Sequence, residues 1–186
     1  MHARWTTREI FVALWGVLGI LLLLGQAILR LAPVALEPLQ DGSLTPALGA
    51  LYVVVILANA YAEGYRGFQR RFAPRVVARA LYLARAPRPW HVVFAPFFCM
   101  AYFHSKRRAR ISAWAVTCAV FVAIAVVRHL PQPWRGVIDA GVVVGLLWGV
   151  VSIVVLFVAS LRGVRAAGDP ELPEHPSPAP RLATEP

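Results

Sequence analysis

Apolar residues gather along this chain in four long runs, at residues 10–29, 46–62, 111–127 and 140–161, and none of the four holds an Asp, Glu, Lys or Arg. Twenty residues of α-helix rise about 30 Å, which matches the hydrocarbon thickness of a bilayer. Each run therefore predicts a helix that crosses a membrane. The expected fold class is an all-α integral membrane protein with four transmembrane helices, an interfacial amphipathic helix and a short re-entrant or interfacial segment. Gly25-Gln26-Ala27 resembles a leader cleavage site, but the apolar run continues through Ile28 and Leu29, so an uncleaved first span is expected.

The stretches between the runs are of different kinds. Residues 31–45 carry Pro33, Pro38, Asp41 and Gly42, which predict a short turn-rich connection. Pro46 suits the first turn of the second helix. Residues 64–110 form a basic region. Within it, positions 75–85 sort at helical period into Arg75, Arg79, Tyr82 and Arg85 on one arc, with Val76, Val77, Ala80, Leu81, Leu83 and Ala84 on the other. That pattern predicts a helix that does not span but lies in the interface or against a partner helix; in the interface its valines and leucines would turn toward acyl chains with its arginines at headgroup level. Residues 90–104 are apolar but short: the uncharged core 92–103 would be only about 18 Å long as a helix. Basic clusters flank it on both sides, so it is read as re-entrant or interfacial, not crossing. Residues 128–139 form a second short connection. The tail, 168–186, is Pro-rich and polar and is expected to be disordered.

Charge sets the orientation. The chain is 59% apolar and 15% charged, with a formal net charge of +10 and Lys106 as its single lysine. Positive residues prefer the cytoplasmic flanks of spans. This places 64–110 and both termini in the cytoplasm of a bacterial cell, with 31–45 and 128–139 outside the cytoplasmic membrane. The same location argues against nucleic acid as a partner, since the positive charge flanks spans and does not form one patch.

Little in the sequence points to catalysis. Cys99 and Cys118 lie in apolar surroundings without C-x-x-C spacing, so neither a disulfide nor a zinc site is expected. No phosphate-binding glycine loop, H-E-x-x-H or G-x-S-x-G occurs. His91, His104 and His129 raise the question of a membrane haem, but four spans put His91 and His129 on opposite sides. No cofactor or metal is expected, and the protein is read as a non-enzyme.

Three sets of residues are candidates for function. Gly141, Gly145 and Gly149, spaced by four, share one face of the last span and would let another helix approach closely. Asn59 and Glu63 share a face near the inner end of the second span. Glu63 is either a buried carboxylate that carries a proton or ion, or an interfacial one paired with Arg66 or a neighbouring arginine. Arg70, Arg71, Arg75, Arg79, Arg85, Lys106, Arg107 and Arg108 would bind anionic lipid or an acidic membrane partner. The function expected is a scaffold, assembly or regulatory subunit, contacting anionic lipids and another membrane protein or a second copy of itself. A small transporter or channel component using Asn59 and Glu63, or a haem- or quinone-binding subunit, are the alternatives.

Overall fold

The computed structural model describes residues 5–164 and 168–173. Among these the regular elements are all helical: α1 (Thr7–Gln40), α2 (Pro46–Asn59), a π-helical segment (Ala60–Phe72), α3 (Ala73–Arg85), α4 (Pro89–Val93), α5 (Ala95–Cys99), α6 (Arg107–Val127) and α7 (Trp134–Leu161). Among the described residues four helices are long and apolar enough to cross a membrane: Thr7–Gln40, Pro46–Arg85, Arg107–Val127 and Trp134–Leu161.

α1 opens on a capping box. The Thr6 hydroxyl accepts from the Glu9 N–H, and the Thr6 N–H donates to the Glu9 carboxylate at 2.7 Å, so two otherwise unpaired donors are satisfied. The helix does not stop near residue 29. It runs through Pro33 and Pro38 to Gln40, which shortens the expected connection to residues 41–45. Proline has no N–H, so Pro38 leaves the Val34 carbonyl without its helical donor. Gln132 supplies a replacement from the loop before α7, its Nε2 lying 3.3 Å from Val34 O and 2.7 Å from Glu37.

Pro46 occupies the first turn of α2, as the sequence predicts, and Thr45 before it is the cap. Beyond Asn59 the backbone widens to π geometry, with the Ala73 N–H donating to the Phe68 carbonyl five residues back. α2, the π segment and α3 then join into one 40-residue helix, Pro46–Arg85. The expected break after residue 62 is absent. α3 takes the second of its two expected settings, against other helices. Its apolar face is packed on protein: Val76, Val77, Ala80 and Leu83 are fully buried against α1, α5 and α7.

Residues 90–104 fold into α4 and α5, five residues each and far too short to cross. This hairpin seats on α1 where glycine leaves room. A Cβ on Gly16 would stand 2.9 Å from Cys99 Sγ, and one on Gly19 would collide with the Pro96 ring. Trp15 Nε1 fixes the other arm by donating to Val92 O at 3.1 Å.

α1 runs antiparallel to α7. Pro38 meets Gly136 at the start of α7, while Val12, Val17 and Ile20 share a core with Ile153 and Phe157 near its end. The start of α1, α3, the hairpin and the end of α7 thus gather at one end of the bundle, here called the basic end. A smaller core of Ala35, Tyr52, Val137 and Ala140 closes the other, where the Tyr52 hydroxyl donates to Ala35 O at 2.8 Å. α6 stands apart, with Ala109 its only buried residue, and touches the hairpin through Tyr102 on Trp114 and Thr117.

Of the tail expected to be disordered, the structure describes the first six residues. Residues 168–173 lie as a strap across α3, where Leu172 packs on the core and the Glu171 carbonyl accepts from the Lys106 N–H at 2.8 Å. An acidic segment with one leucine fits a basic helix with an apolar flank. The remainder of that tail, 174–186, lies outside the described residues.

Candidate functional site

Two of the candidate sets meet. Gly141, Gly145 and Gly149 face the Pro46–Arg85 helix. A Cβ on Gly141 would lie 2.6 Å from Asn59 Nδ2, one on Gly145 would lie 3.1 Å from Glu63 Oε2, and one on Gly149 would lie 2.6 Å from the Phe68 ring. Glycine allows this approach because no side chain intervenes. The matching positions on the other helix are 59, 63 and 68, spaced four and then five. An α-helix would offer Gly67 to Gly149; the wider π turns bring Phe68 there. The seam is completed by Gly64, which takes the Trp148 ring, and by Trp148 Nε1, which donates to Gln69 at 2.7 Å.

Within this seam Asn59 and Glu63 do not bond to each other. Asn59 Nδ2 donates to Val55 O on its own helix at 2.9 Å. Glu63 makes no ion pair with Arg66 or with any other described residue. Its carboxylate lies along Gly145, part-way down α7. The expectation of an interfacial pair with Arg66 is not met.

The basic residues divide by role. Arg79 has no exposed surface and sits in a cage of carbonyls. Its Nε donates to Phe98 O at 2.6 Å, Nη1 to Pro170 O at 2.9 Å, and Nη2 to Phe103 O at 3.0 Å and His104 O at 3.1 Å. The guanidinium lies 4.2 Å from the Phe98 ring centroid, a cation–π stack. Four of its five N–H donors are thereby used. The carbonyls reach it because the chain after α5 curls through two left-handed residues, Ala101 (φ 67) and His104 (φ 50), with Ser105 Oγ bracing the turn on Ala101 O. Arg79 is therefore not a headgroup ligand: the hairpin on one side and the strap on the other cover it. Arg75 is half-covered too, its Nε 2.8 Å from the Glu171 carboxylate.

Arg70, Arg71, Arg85, Lys106, Arg107 and Arg108 remain exposed. Arg70 lies over the Tyr65 ring, Arg85 over Trp5 at 4.3 Å, and the Lys106 ammonium stands 3.9 Å from Asp169. No family model, curated protein or solved structure matches the chain. Its chemistry is thus read from these side chains alone.

Of the three candidate histidines, the structure brings His91 and His104 together and leaves His129 apart. The His91 ring is in contact with His104 (centroids 4.9 Å apart) and stacked on Phe98, while His129 follows α6 at the far end. Burial, then Arg88 and Arg79, push His91 below the usual imidazole range. Cys99, sealed against α1, has its thiol pushed up to about 12 by burial, which makes it inert at neutral pH. Among the described residues no three His, Cys, Asp or Glu side chains gather as a metal site would need.

Sequence reasoning missed the Arg79 cage, the Trp148–Gln69 bond and the strap. One signal was present for the strap: Asp169 and Glu171 bracket a proline just before Leu172, in a chain with few acids. Nothing in the periodicity marks residue 79 as different from Arg75 or Arg85.

Proposed function

We propose that the protein is a four-span integral membrane protein of a bacterial cytoplasmic membrane, with the basic end and both termini in the cytoplasm. It acts as a non-enzymatic scaffold or assembly subunit that holds anionic lipid at that end. One observation carries this reading. Arg107 and Arg108 are exposed at the basic end and Arg70 and Arg71 on the π segment below it, and none of them is paired with a carboxylate among the described residues. Arg75 and Arg79, by contrast, hold the frame that presents them. A guanidinium offers a planar donor fork to phosphate, and each cation near an anionic leaflet contributes about 1 kcal/mol. α6, open along almost its whole length, gives the same unit a surface for lipid tails or a neighbouring membrane protein.

The test is lipid analysis of protein purified in mild detergent. Substituting Arg70, Arg71, Arg107 and Arg108 together by Gln is expected to strip anionic lipid, and the matching Lys variant to keep part of it. If the Gln variant retains the parent's anionic lipid, the reading is wrong. Cysteine labelling of Arg108→Cys checks the orientation, with reaction expected only from the cytoplasmic face.

A further inference from the structure

The apolar bands of two neighbouring helices are out of step. Residues 140–161 of α7 hold no charged side chain and are about 33 Å long, a full hydrocarbon thickness. α1 agrees with this level, since its apolar run lies beside the second half of α7. The Pro46–Arg85 helix does not agree. It runs parallel to α7, and the glycine contacts fix the register: Asn59 beside Gly141, Glu63 beside Gly145, Phe68 beside Gly149. Its apolar part, 46–62, is therefore displaced by about four turns toward the far end. What stands beside the middle of α7 is the π segment.

That segment is charged. Arg66 falls in register between Gly145 and Gly149, and Arg71 one turn beyond Phe68, so both are level with the charge-free run. Both are exposed, on the side of the segment away from the buried Gly64 and half-buried Phe68 that face α7. Neither has a carboxylate partner among the described residues. Their depth below the basic end is more than an arginine stem can bridge by snorkelling alone. An exposed guanidinium at that depth is tolerated where water or a counter-charge reaches it, and bilayers meet such residues by thinning locally.

We propose that this face carries a hydrated notch, open to the basic end, in which water and the phosphate of an anionic lipid descend along the π segment to Arg71 and Arg66. The notch rests on the spanning reading given above. The π geometry belongs to it: by turning Phe68 and Gly64 onto α7, the wide turns leave Arg66 and Arg71 facing outward together.

The experiment uses the full chain with Cys99→Ala and Cys118→Ala, reconstituted in vesicles. Single cysteines are placed at Arg66 and Arg71, at Val151 and Val155 on the exposed apolar face of α7, and at Ser43 in the exposed 41–45 connection. A membrane-impermeant anionic thiol reagent is applied to both faces of the vesicle, with rates normalised to Ser43→Cys. Arg66→Cys and Arg71→Cys are expected to react about ten-fold or more faster than Val151→Cys and Val155→Cys, because only a hydrated thiol ionises. Replacing phosphatidylcholine by phosphatidylglycerol is expected to slow the two arginine sites relative to the reference site, because the anionic lipid occupies the notch through the arginine that remains in each variant. If Arg66→Cys and Arg71→Cys are as silent as the two valine sites, the notch is refuted and the spanning reading stands. If all four sites react alike, α7 is not in hydrocarbon, and the spanning reading falls together with the notch. Equal rates in the two lipids overturn the lipid half of the proposal.

Discussion

Glu63 leans on Gly145. The carboxylate oxygen stands 3.1 Å, and the Glu63 Cβ 3.2 Å, from the place where a Cβ on that glycine would sit. An acidic side chain can lie along an apolar helix here only because position 145 offers bare backbone. The same helix accepts a rigid ring at Gly149 and an amide at Gly141, so one stripe serves three unlike neighbours.

The stripe predicts unequal responses to alanine. Within a helix, Gly→Ala gains about 1 kcal/mol of propensity. At Gly145 the neighbour must yield only a few tenths of an ångström, so Gly145→Ala is expected to leave thermal stability in detergent nearly unchanged. At Gly149 the Phe68 ring, 2.6–2.9 Å away, cannot yield so easily. Overpacking there costs about 1–3 kcal/mol and outweighs the propensity gain, so Gly149→Ala lowers the melting temperature. Adding Phe68→Leu should recover part of that loss. Equal melting temperatures for the two alanine variants would show that Phe68 does not pack on Gly149.

How much of this was legible in the sequence follows from what each feature depends on. The four apolar helices are a matter of run length, and the runs predict them. Pro46 was legible for its own local reason, and the run at 90–104 was legible as too short to cross, though not as a pair of five-residue helices. The boundaries of the first two helices were not. Pro33 and Pro38 read as helix breakers, but α1 survives Pro38 because Gln132, about 100 residues away in sequence, supplies the missing donor. The pairing of the glycine stripe with Asn59 and Glu63 needed a register, and the register depends on π turns that no residue type announces. Arg79 was indistinguishable from its neighbours because its partners are backbone carbonyls, and these leave no mark on side-chain pattern.

Acidification should weaken the hairpin. His91 is held below its ordinary pKa by burial and by Arg88 and Arg79, with His104 in ring contact. A depressed folded-state pKa means that the unfolded chain takes up the proton first. The contribution is thus complete above the unfolded value of about 6.5 and is lost as pH falls through the lower folded value. Melting temperature is expected to drop on acidification below about pH 6.5, and His91→Phe, which keeps a ring on Phe98, should flatten that decline. An unchanged pH profile in His91→Phe would place the sensitive group elsewhere.

The strap should contribute through its backbone and Leu172 more than through its charge. Glu171 and Arg75 are 34% and 19% exposed, and such partly solvated pairs contribute about 0.2–1 kcal/mol. Glu171→Gln is therefore expected to be mild. Ending the chain before Gly168 removes the Pro170 carbonyl from Arg79 and uncovers the core beneath Leu172. A buried donor without its partner costs about 1–3 kcal/mol, so the truncated chain should unfold at clearly lower temperature than Glu171→Gln. Were the two equally stable, the strap would be an ornament of the fold and not a brace.

Arg79 is the position where charge conservation should fail most plainly. The site is built for a planar fork: one edge to Phe98 O, the other to Phe103 O and His104 O, and a further N–H to Pro170 O, all above an aromatic face. Lysine keeps the charge but brings three donors on a single point, so it reaches some of the four carbonyls and leaves the rest unpaired. Each buried carbonyl left without a donor costs about 1–3 kcal/mol, and the hairpin turn with left-handed Ala101 and His104 loses the group that holds it. Arg79→Lys is expected to destabilise by roughly 2–4 kcal/mol, read by thermal unfolding in detergent. Arg70→Lys and Arg71→Lys, at exposed positions, should stay within about 0.5 kcal/mol of the parent. Proteolysis between residues 86 and 106 gives a second readout, since a freed hairpin is cut where a caged one is not. If Arg79→Lys melts with the parent and resists cleavage equally, the carbonyl cage contributes nothing to stability and the charge alone suffices.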